Sequence, residues 1–415
     1  MLAGSIAGGV GAYLFQVVGT RALGDDGYAP IAALWTIQYL MWSIVLHAVE
    51  TYVDRAYVTD RGRSPNRPTT GASPWIWVVA ASIAVAVAAW PFRERLFAGE
   101  AASVVAAGAI VAAYGGFAIV RGRLAGEGRY RAYGVISATE STLRLLVATF
   151  VAATIGTATA LAWTLPVGAA AAAAAGAFLA NGGQRAIPEP APRAAARSDG
   201  AAGRFLAVTT VANAAVQLLL AGGPLVLVAL GASAAEISVF FVTETAARVP
   251  VVVALSGGLS RILPAFILAI ETSGRAEVTR LAWRVAAVTV AVAAAGGLLG
   301  AIVGPAVIRV FFGDGFAPPW WLAAVIGAGV LVATGGMVLN HLAIAAGAER
   351  RLPVAWWIGI AAATVTVVLA RGSATARVTA GFAVGLSVAF TCLVVAMTRK
   401  LDDRHDLRDV AGRSD

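Results

Sequence analysis

The residues of this chain that could do chemistry are few, and almost all of them interrupt long apolar runs. Glu244 and Arg248 stand four apart, so a helix carries them on one face as an acid–base pair. The arginine could contact a phosphate while Glu244 holds the guanidinium; the plain alternative is a self-satisfied ion pair that only packs. Glu140 and Arg144 repeat the spacing, and there an internal structural pair is expected. Arg21, beside Asp25 and Asp26, could capture an anionic head group through two parallel hydrogen bonds, or snorkel and pair with those aspartates. His47, Glu50 and Asp54 fall at i, i+3 and i+7 on one helical face. They could bind a proton or sodium ion, or form a gate or interfacial salt bridge. Gln16, Gln38, Asn213 and Gln217 could hydrogen-bond sugar hydroxyls or merely tie helices together, at about 0.6–2 kcal/mol per bond. Asn340 with His341 reads as packed polar residues, and Trp320-Trp321 as part of an interfacial aromatic belt.

The elements that must hold these residues are apolar throughout. The 415-residue chain is 59% hydrophobic and 13% charged, with a mean hydropathy of +0.80. A soluble domain carries about twice that share of charge, because its surface faces water. Uncharged runs of about 17 residues or more recur, each long enough to cross a hydrocarbon core of roughly 30 Å as a helix. The period-two alternation of a membrane barrel is missing. The sequence therefore predicts an all-α integral membrane protein of about twelve transmembrane helices. They fall near 2–19, 30–53, 73–91, 101–120, 132–154, 158–180, 205–230, 237–257, 281–308, 320–346, 353–370 and 378–398. The run Ile237–Ile270 exceeds one span, so its part after Gly257-Gly258 is expected to project into the cytoplasmic interface. The pairs Gly115-Gly116, Gly296-Gly297 and Gly335-Gly336 are read as sites of close helix approach. Cys392, the single cysteine, has no disulfide partner; no spacing suggests a metal site, a cofactor or a nucleotide-binding loop. The net charge of +9 is scattered between spans, which argues against nucleic acid and for topology signals.

Orientation follows from the arginines. Alternate connections, beginning after the second span, and the tail together hold 22 basic residues, and the opposite side holds 6. Such a bias puts both termini in the cytoplasm. Thirty of the 31 basic residues are arginine, which with the abundant Ala and Gly suggests a bacterial source and hence its cytoplasmic membrane. The segment 181–204, rich in Pro, Ala and Arg, reads as a cytoplasmic linker. It divides the chain into an N-lobe of residues 1–180 and a C-lobe of residues 205–398, with a cytoplasmic tail at 399–415. The halves echo one another: Leu23-Gly24 matches Leu230-Gly231, Arg95-Leu-Phe-Ala-Gly-Glu100 matches Arg309-Val-Phe-Phe-Gly-Asp314, and Ala125-Gly126 with Arg129 matches Ala346-Gly347 with Arg350. Three matches in order favour an internal duplication with six spans per half.

The stretch Gly19-Thr-Arg-Ala-Leu-Gly24, followed by Gly27-Tyr28 and an apolar helix, resembles the first-loop signature of polysaccharide flippases. These belong to the multidrug/oligosaccharidyl-lipid/polysaccharide (MOP) exporter superfamily. Gly126-Glu-Gly-Arg-Tyr-Arg131 with Arg144, Ala246-Ala-Arg-Val-Pro250 with Leu263-Pro264, and Val310-Phe-Phe-Gly313 extend the resemblance along nearly the whole chain. It implies two six-helix lobes around a central cavity, lined mainly by the first, second, seventh and eighth helices. It also implies a lipid-linked anionic sugar as cargo, membrane lipid as surroundings, and a polysaccharide polymerase or glycosyltransferases as partners. The expected activity is alternating-access transport of a polyprenyl-diphosphate-linked oligosaccharide, with no covalent chemistry. Cavity contacts would come from Arg21, Arg248, Glu244, Gln16, Gln38, Asn213 and Gln217. The alternatives are a multidrug exporter of the same superfamily, or an integral-membrane glycosyltransferase using Asp25-Asp26.

Overall fold

In hydrocarbon no water can pair a backbone N–H or C=O, so a spanning segment must satisfy its own groups, and these apolar runs do so as helices. The computed structural model describes residues 2–60, 74–181, 199–256, 259–273 and 276–398. The linker core and the tail expected from the sequence, Gly257-Gly258, and most of the arginines in those segments lie outside the described residues. The helices are α1 (Leu2–Met41), α2 (His47–Asp60), α3 (Pro74–Ala89), α4 (Arg93–Phe97), α5 (Ala101–Gly126), α6 (Tyr130–Thr154), α7 (Ala158–Asn181), α8 (Asp199–Ala221), α9 (Gly223–Ala229), α10 (Ala234–Ser256), α11 (Leu259–Ser273), α12 (Ala276–Phe312), α13 (Trp320–Ala345), α14 (Arg351–Leu369) and α15 (Ala374–Thr398). Among the described residues there is no strand.

Among the described residues the helices resolve into twelve spans. α1 is two of them, because the chain reverses at Gly24, whose φ of 68° and ψ of 177° are not helical. Phe15 stacks on Trp35 with ring centres 5.0 Å apart, and the Tyr28 hydroxyl reaches the Gln16 side chain. A straight helix would hold residues twenty apart at a distance of about 30 Å. The second span continues through a π-helical turn, Trp42–Leu46, into α2. The seventh is α8 plus α9, bent by 65° at Gly222. Pro224 opens α9, and a proline there removes an N–H and crowds the carbonyl four residues back. α8 starts at Asp199, inside the segment expected as linker. α10 is the eighth span. The amphipathic α11 follows it as a separate helix packed on α12 and α13, so the long apolar run does divide.

In the first lobe α1, α2, α3, α6 and α7 pack around α5 and one another; in the second, α8 and α12 to α15 do the same. The duplication is visible in the backbone. Left-handed glycines mark corresponding reversals: Gly24 and Gly231, Gly99 and Gly313, Gly128 and Gly347, Gly156 and Gly372. One expected register is corrected. Gly347 corresponds to Gly128 rather than Gly126, because both close a helix with the same pair of backbone bonds, from Gly128 to Ala125 and Arg129 to Leu124, and from Gly347 to Ile344 and Ala348 to Ala343. Gly126 instead lies inside α5, where with Gly122 it lets α2 approach. A β-carbon on Gly122 would sit 2.5 Å from the Glu50 carbonyl oxygen. The glycine pairs singled out in the sequence are likewise packed: Gly115 meets Val78, Gly296 meets Leu331, and Gly335 meets Thr289. Trp75, Trp77, Trp283 and Trp357 are exposed at the arginine-rich end of the bundle, and Trp90 and Trp320 at the arginine-poor end. These are two interfacial belts.

Candidate functional site

The lobes meet chiefly where α1 lies against α10, and where α8 touches the π-helical turn. Polar side chains gather along this seam. The turn exposes the Ser43 carbonyl, which accepts from Asn213 Nδ2 at 3.0 Å, and Gln217 Nε2 donates to Asn213 Oδ1 at 3.5 Å. Asn213 and Gln217 thus sit one helical turn apart on α8, facing the second span. On α10, which packs against α1, Glu244 and Arg248 form the ion pair that their spacing predicts. Glu244 is buried and Arg248 is partly open, with 17% of its side chain exposed. The guanidinium lies over the Tyr39 ring, 5.2 Å from its centre, so the second span supplies a π-face to a cation of the eighth.

Hydrogen bonding at the seam is incomplete. Gln38 Oε1, Gln217 Oε1, Arg248 Nε and Glu244 Oε2 are buried without a hydrogen-bond partner, Glu244 Oε1 being taken by Arg248. Most buried polar side-chain atoms in folded proteins have one. Gln16 Nε2, Glu50 Oε2, Arg121 Nε and Arg144 Nε inside the first lobe lack one too, so such atoms are not confined to the seam. An arginine with a free Nε can offer two parallel donors to a phosphate oxygen pair, and free amide oxygens accept from hydroxyls.

Two further charge centres lie wholly inside the first lobe. Arg144 pairs with Glu140 at 2.9 Å, both buried; Tyr114 bridges them through its hydroxyl, and Ser141 Oγ donates to Glu140 Oε2 at 2.8 Å. The guanidinium faces Trp35 at 4.8 Å and Phe15 at 5.8 Å. Nearer the arginine-rich end, Arg121 pairs with Glu50 at 3.3 Å, Tyr133 donates to Glu50 Oε1 at 3.0 Å, and Arg121 is boxed by Trp42, Phe117 and Tyr133. Each centre is a Glu–Arg–Tyr set in an aromatic cage, and Trp42 links them by contacting both Tyr114 and Phe117. The expectation of an internal pair for Glu140 and Arg144 agrees with this placement.

Other candidates are placed differently from the free contacts the sequence suggested. Arg21 leaves the seam's polar centre and donates to the last carbonyls of α12, from Nε to Phe311 at 3.1 Å and from Nη2 to Val310. Gln16 is buried inside the first hairpin, its Oε1 taken by Tyr28 and its Nε2 unpartnered. His47 is exposed while Glu50, one turn on, is locked to α5 and α6; Asp54 backs onto Gly122 and Gly126. The shared face of these three thus serves two environments. His341 and Asn340 are packed, with Nδ1 on the Met337 carbonyl and Oδ1 accepting from Trp356. No group of three or more metal-ligating side chains occurs among the described residues. Sequence reasoning missed Tyr39, Tyr114, Arg121 and Tyr133. The signal for Arg121 is its position directly after the uncharged run 101–120, which puts it within the last turns of α5.

No protein-family profile matches the sequence, and no curated protein is similar enough to match. Solved structures do resemble it. An inward-facing multidrug-resistance MATE family transporter of the MOP superfamily aligns over 97% of this chain and 95% of its own, at 13% identity and a TM-score of 0.61. A mutant Vibrio cholerae MATE transporter covers 99% and 96% at 16% identity and 0.55, and a eukaryotic MATE transporter covers 100% and 97% at 11% identity and 0.51. At such identities the likeness speaks for architecture. The chain has the two-lobed, twelve-helix fold of the MATE transporters of the MOP superfamily.

Proposed function

We propose that the chain is a transporter working by alternating access in a bacterial cytoplasmic membrane, with its termini and arginine-rich end in the cytoplasm, and that it carries a polyprenyl-diphosphate-linked sugar between leaflets. The lipid tail stays in the bilayer while the head group passes between the lobes. The observation that carries this reading is the Arg248–Glu244 pair at the seam, with its unused donor and Tyr39 beneath it. Because Glu244 neutralises Arg248, the cargo's phosphate must compete with the carboxylate for the guanidinium. Binding is then reversible, as a carrier requires: a bare buried cation would hold a diphosphate too tightly to release it. Gln38, Asn213 and Gln217 supply amides at the level where sugar hydroxyls would pass. No covalent step is needed, and a polymerase or glycosyltransferase would stand on either side of the transport step.

A second reading, export of cationic drugs, is favoured by one specific feature. Glu244 is a buried acid with one oxygen on Arg248 and the other, Oε2, without a partner, and it could pair with a cation as well as Arg248 could pair with an anion. Vesicles containing the purified protein separate the two. Movement of a fluorescent polyprenyl-diphosphate sugar between leaflets, with no accumulation of a cationic dye, supports the first. Dye transport with no sugar-lipid movement supports the second and ends the first.

A further inference from the structure

We propose that Arg21 and Arg95 form a two-point latch that holds the lobes together at the arginine-poor end, and that the latch parts when the chain opens on that side; the proposal rests on the transport reading above. The last carbonyls of a helix have no partner within it, and the helix dipole makes that end attractive to a cation. Val310 and Phe311 lie in the last turn of α12, and Ala229 ends α9. Arg21 of α1 spreads its fork over the first two, with Nε 3.1 Å from the Phe311 oxygen, and Arg95 of α4 places Nη1 3.3 Å from the Ala229 oxygen. Both donors belong to the first lobe and all three acceptors to the second. The repeat relates the two contacts. Ala229 corresponds to Ala22, beside Arg21, and Val310-Phe311 correspond to Leu96-Phe97, beside Arg95. One inter-lobe contact has therefore been made twice around the pseudo-twofold axis, each time with an arginine on the first-lobe side.

Two features fit a latch better than a permanent weld. Both arginines are exposed, so water can take over guanidinium and carbonyls alike when the lobes separate. The Glu140–Arg144 pair inside the first lobe, by contrast, is buried and cannot be exchanged for water. Beneath the latch Tyr28 meets Phe316 and Phe241, and Tyr13 meets Phe312 edge-on at 5.4 Å. Asp25 also crosses the seam, close enough that a β-carbon on Gly315 would come within 2.9–3.0 Å of its carboxylate. The arginines thus close the mouth over an aromatic plug.

The test uses full-length protein in lipid, with Cys392→Ser and spin labels at Asp26→Cys and Asp314→Cys, both exposed and on opposite lobes. Pulsed dipolar spectroscopy then reads the distance across the mouth. With both arginines present a single short distance is expected. Removing one arginine should raise the ratio of long to short distances about tenfold, and Arg21→Ala with Arg95→Ala on the order of a hundredfold. The double lysine variant, which keeps both charges but loses the forked geometry, should shift the same way by less. Arg371→Ala, at an exposed arginine between α14 and α15, should change nothing. An unshifted distribution in both the alanine and the lysine double variants would overturn the latch. Because the readout is lobe separation, a chain that opens on latch removal yet moves no sugar lipid contradicts the cargo reading alone.

Discussion

Removing the Glu140 carboxylate alone should be far more damaging than removing the whole Glu140–Arg144 pair. Both side chains are less than a tenth exposed, and they share a 2.9 Å contact. Glu140→Ala leaves Arg144 charged and enclosed, with the Tyr114 oxygen and the faces of Trp35 and Phe15 as its remaining partners. Breaking a buried pair by removing one partner costs about 3–5 kcal/mol, and the two aromatic faces, already in contact in the parent, do not offset it. The expected loss is about 3–5 kcal/mol. Arg144→Met should cost about the same, since Glu140 keeps only Tyr114 and Ser141. Replacing both, as Glu140→Leu with Arg144→Met, leaves no buried charge and should cost about 1 kcal/mol or less. A double-mutant cycle on equilibrium unfolding in mixed micelles therefore predicts a coupling above about 2 kcal/mol. The double variant should also retain transport at close to the original rate, because every partner of the pair lies in the first lobe. Single variants costing less than 1 kcal/mol, or a stable double variant that has lost transport, would refute the structural role assigned to this pair.

Gly122→Ala should lower the thermal midpoint by an amount matching about 1–3 kcal/mol, because its new methyl would meet the Glu50 carbonyl oxygen at 2.5 Å; Gly134→Ala, with nothing within 4 Å, should be neutral or slightly stabilising in the same melt. Arg121→Lys should lose stability despite keeping its charge, since an ammonium cannot stack on Trp42, Phe117 and Tyr133 together; a melt indistinguishable from the parent would remove the aromatic cage from the account. Glu244→Gln should tighten binding of an anionic sugar lipid about tenfold by freeing Arg248, read by titration of a fluorescent analogue; weaker binding would mean that Glu244 itself contacts the cargo.

The fold was legible because the membrane imposes coarse and repetitive rules. Charge-free runs located the spans. The repeated glycines at Gly24 and Gly231 marked the same reversal in both halves. The Glu244–Arg248 and Glu140–Arg144 pairs were legible for the same reason, since an i,i+4 spacing is a local property of one helix. Contacts between helices were not. Nothing near Arg21 in the chain announces the carbonyls of Val310 and Phe311, because a backbone acceptor carries no residue type. No local spacing announces that Tyr39, Tyr114 and Tyr133 stand beside arginines from other helices. The register of the third repeat slipped by two residues because Gly126 and Gly128 are equivalent as letters, and only the helix-end bonds tell them apart.

The central claim is that an anionic head group crosses at the seam through Arg248. The most direct measurement is the rate at which a labelled polyprenyl-diphosphate sugar changes leaflet in vesicles carrying either the parent protein or Arg248→Ala. The account predicts at least a tenfold slower rate for the variant, with folding and the closed-mouth distance unchanged. Equal rates from the two proteins would contradict it.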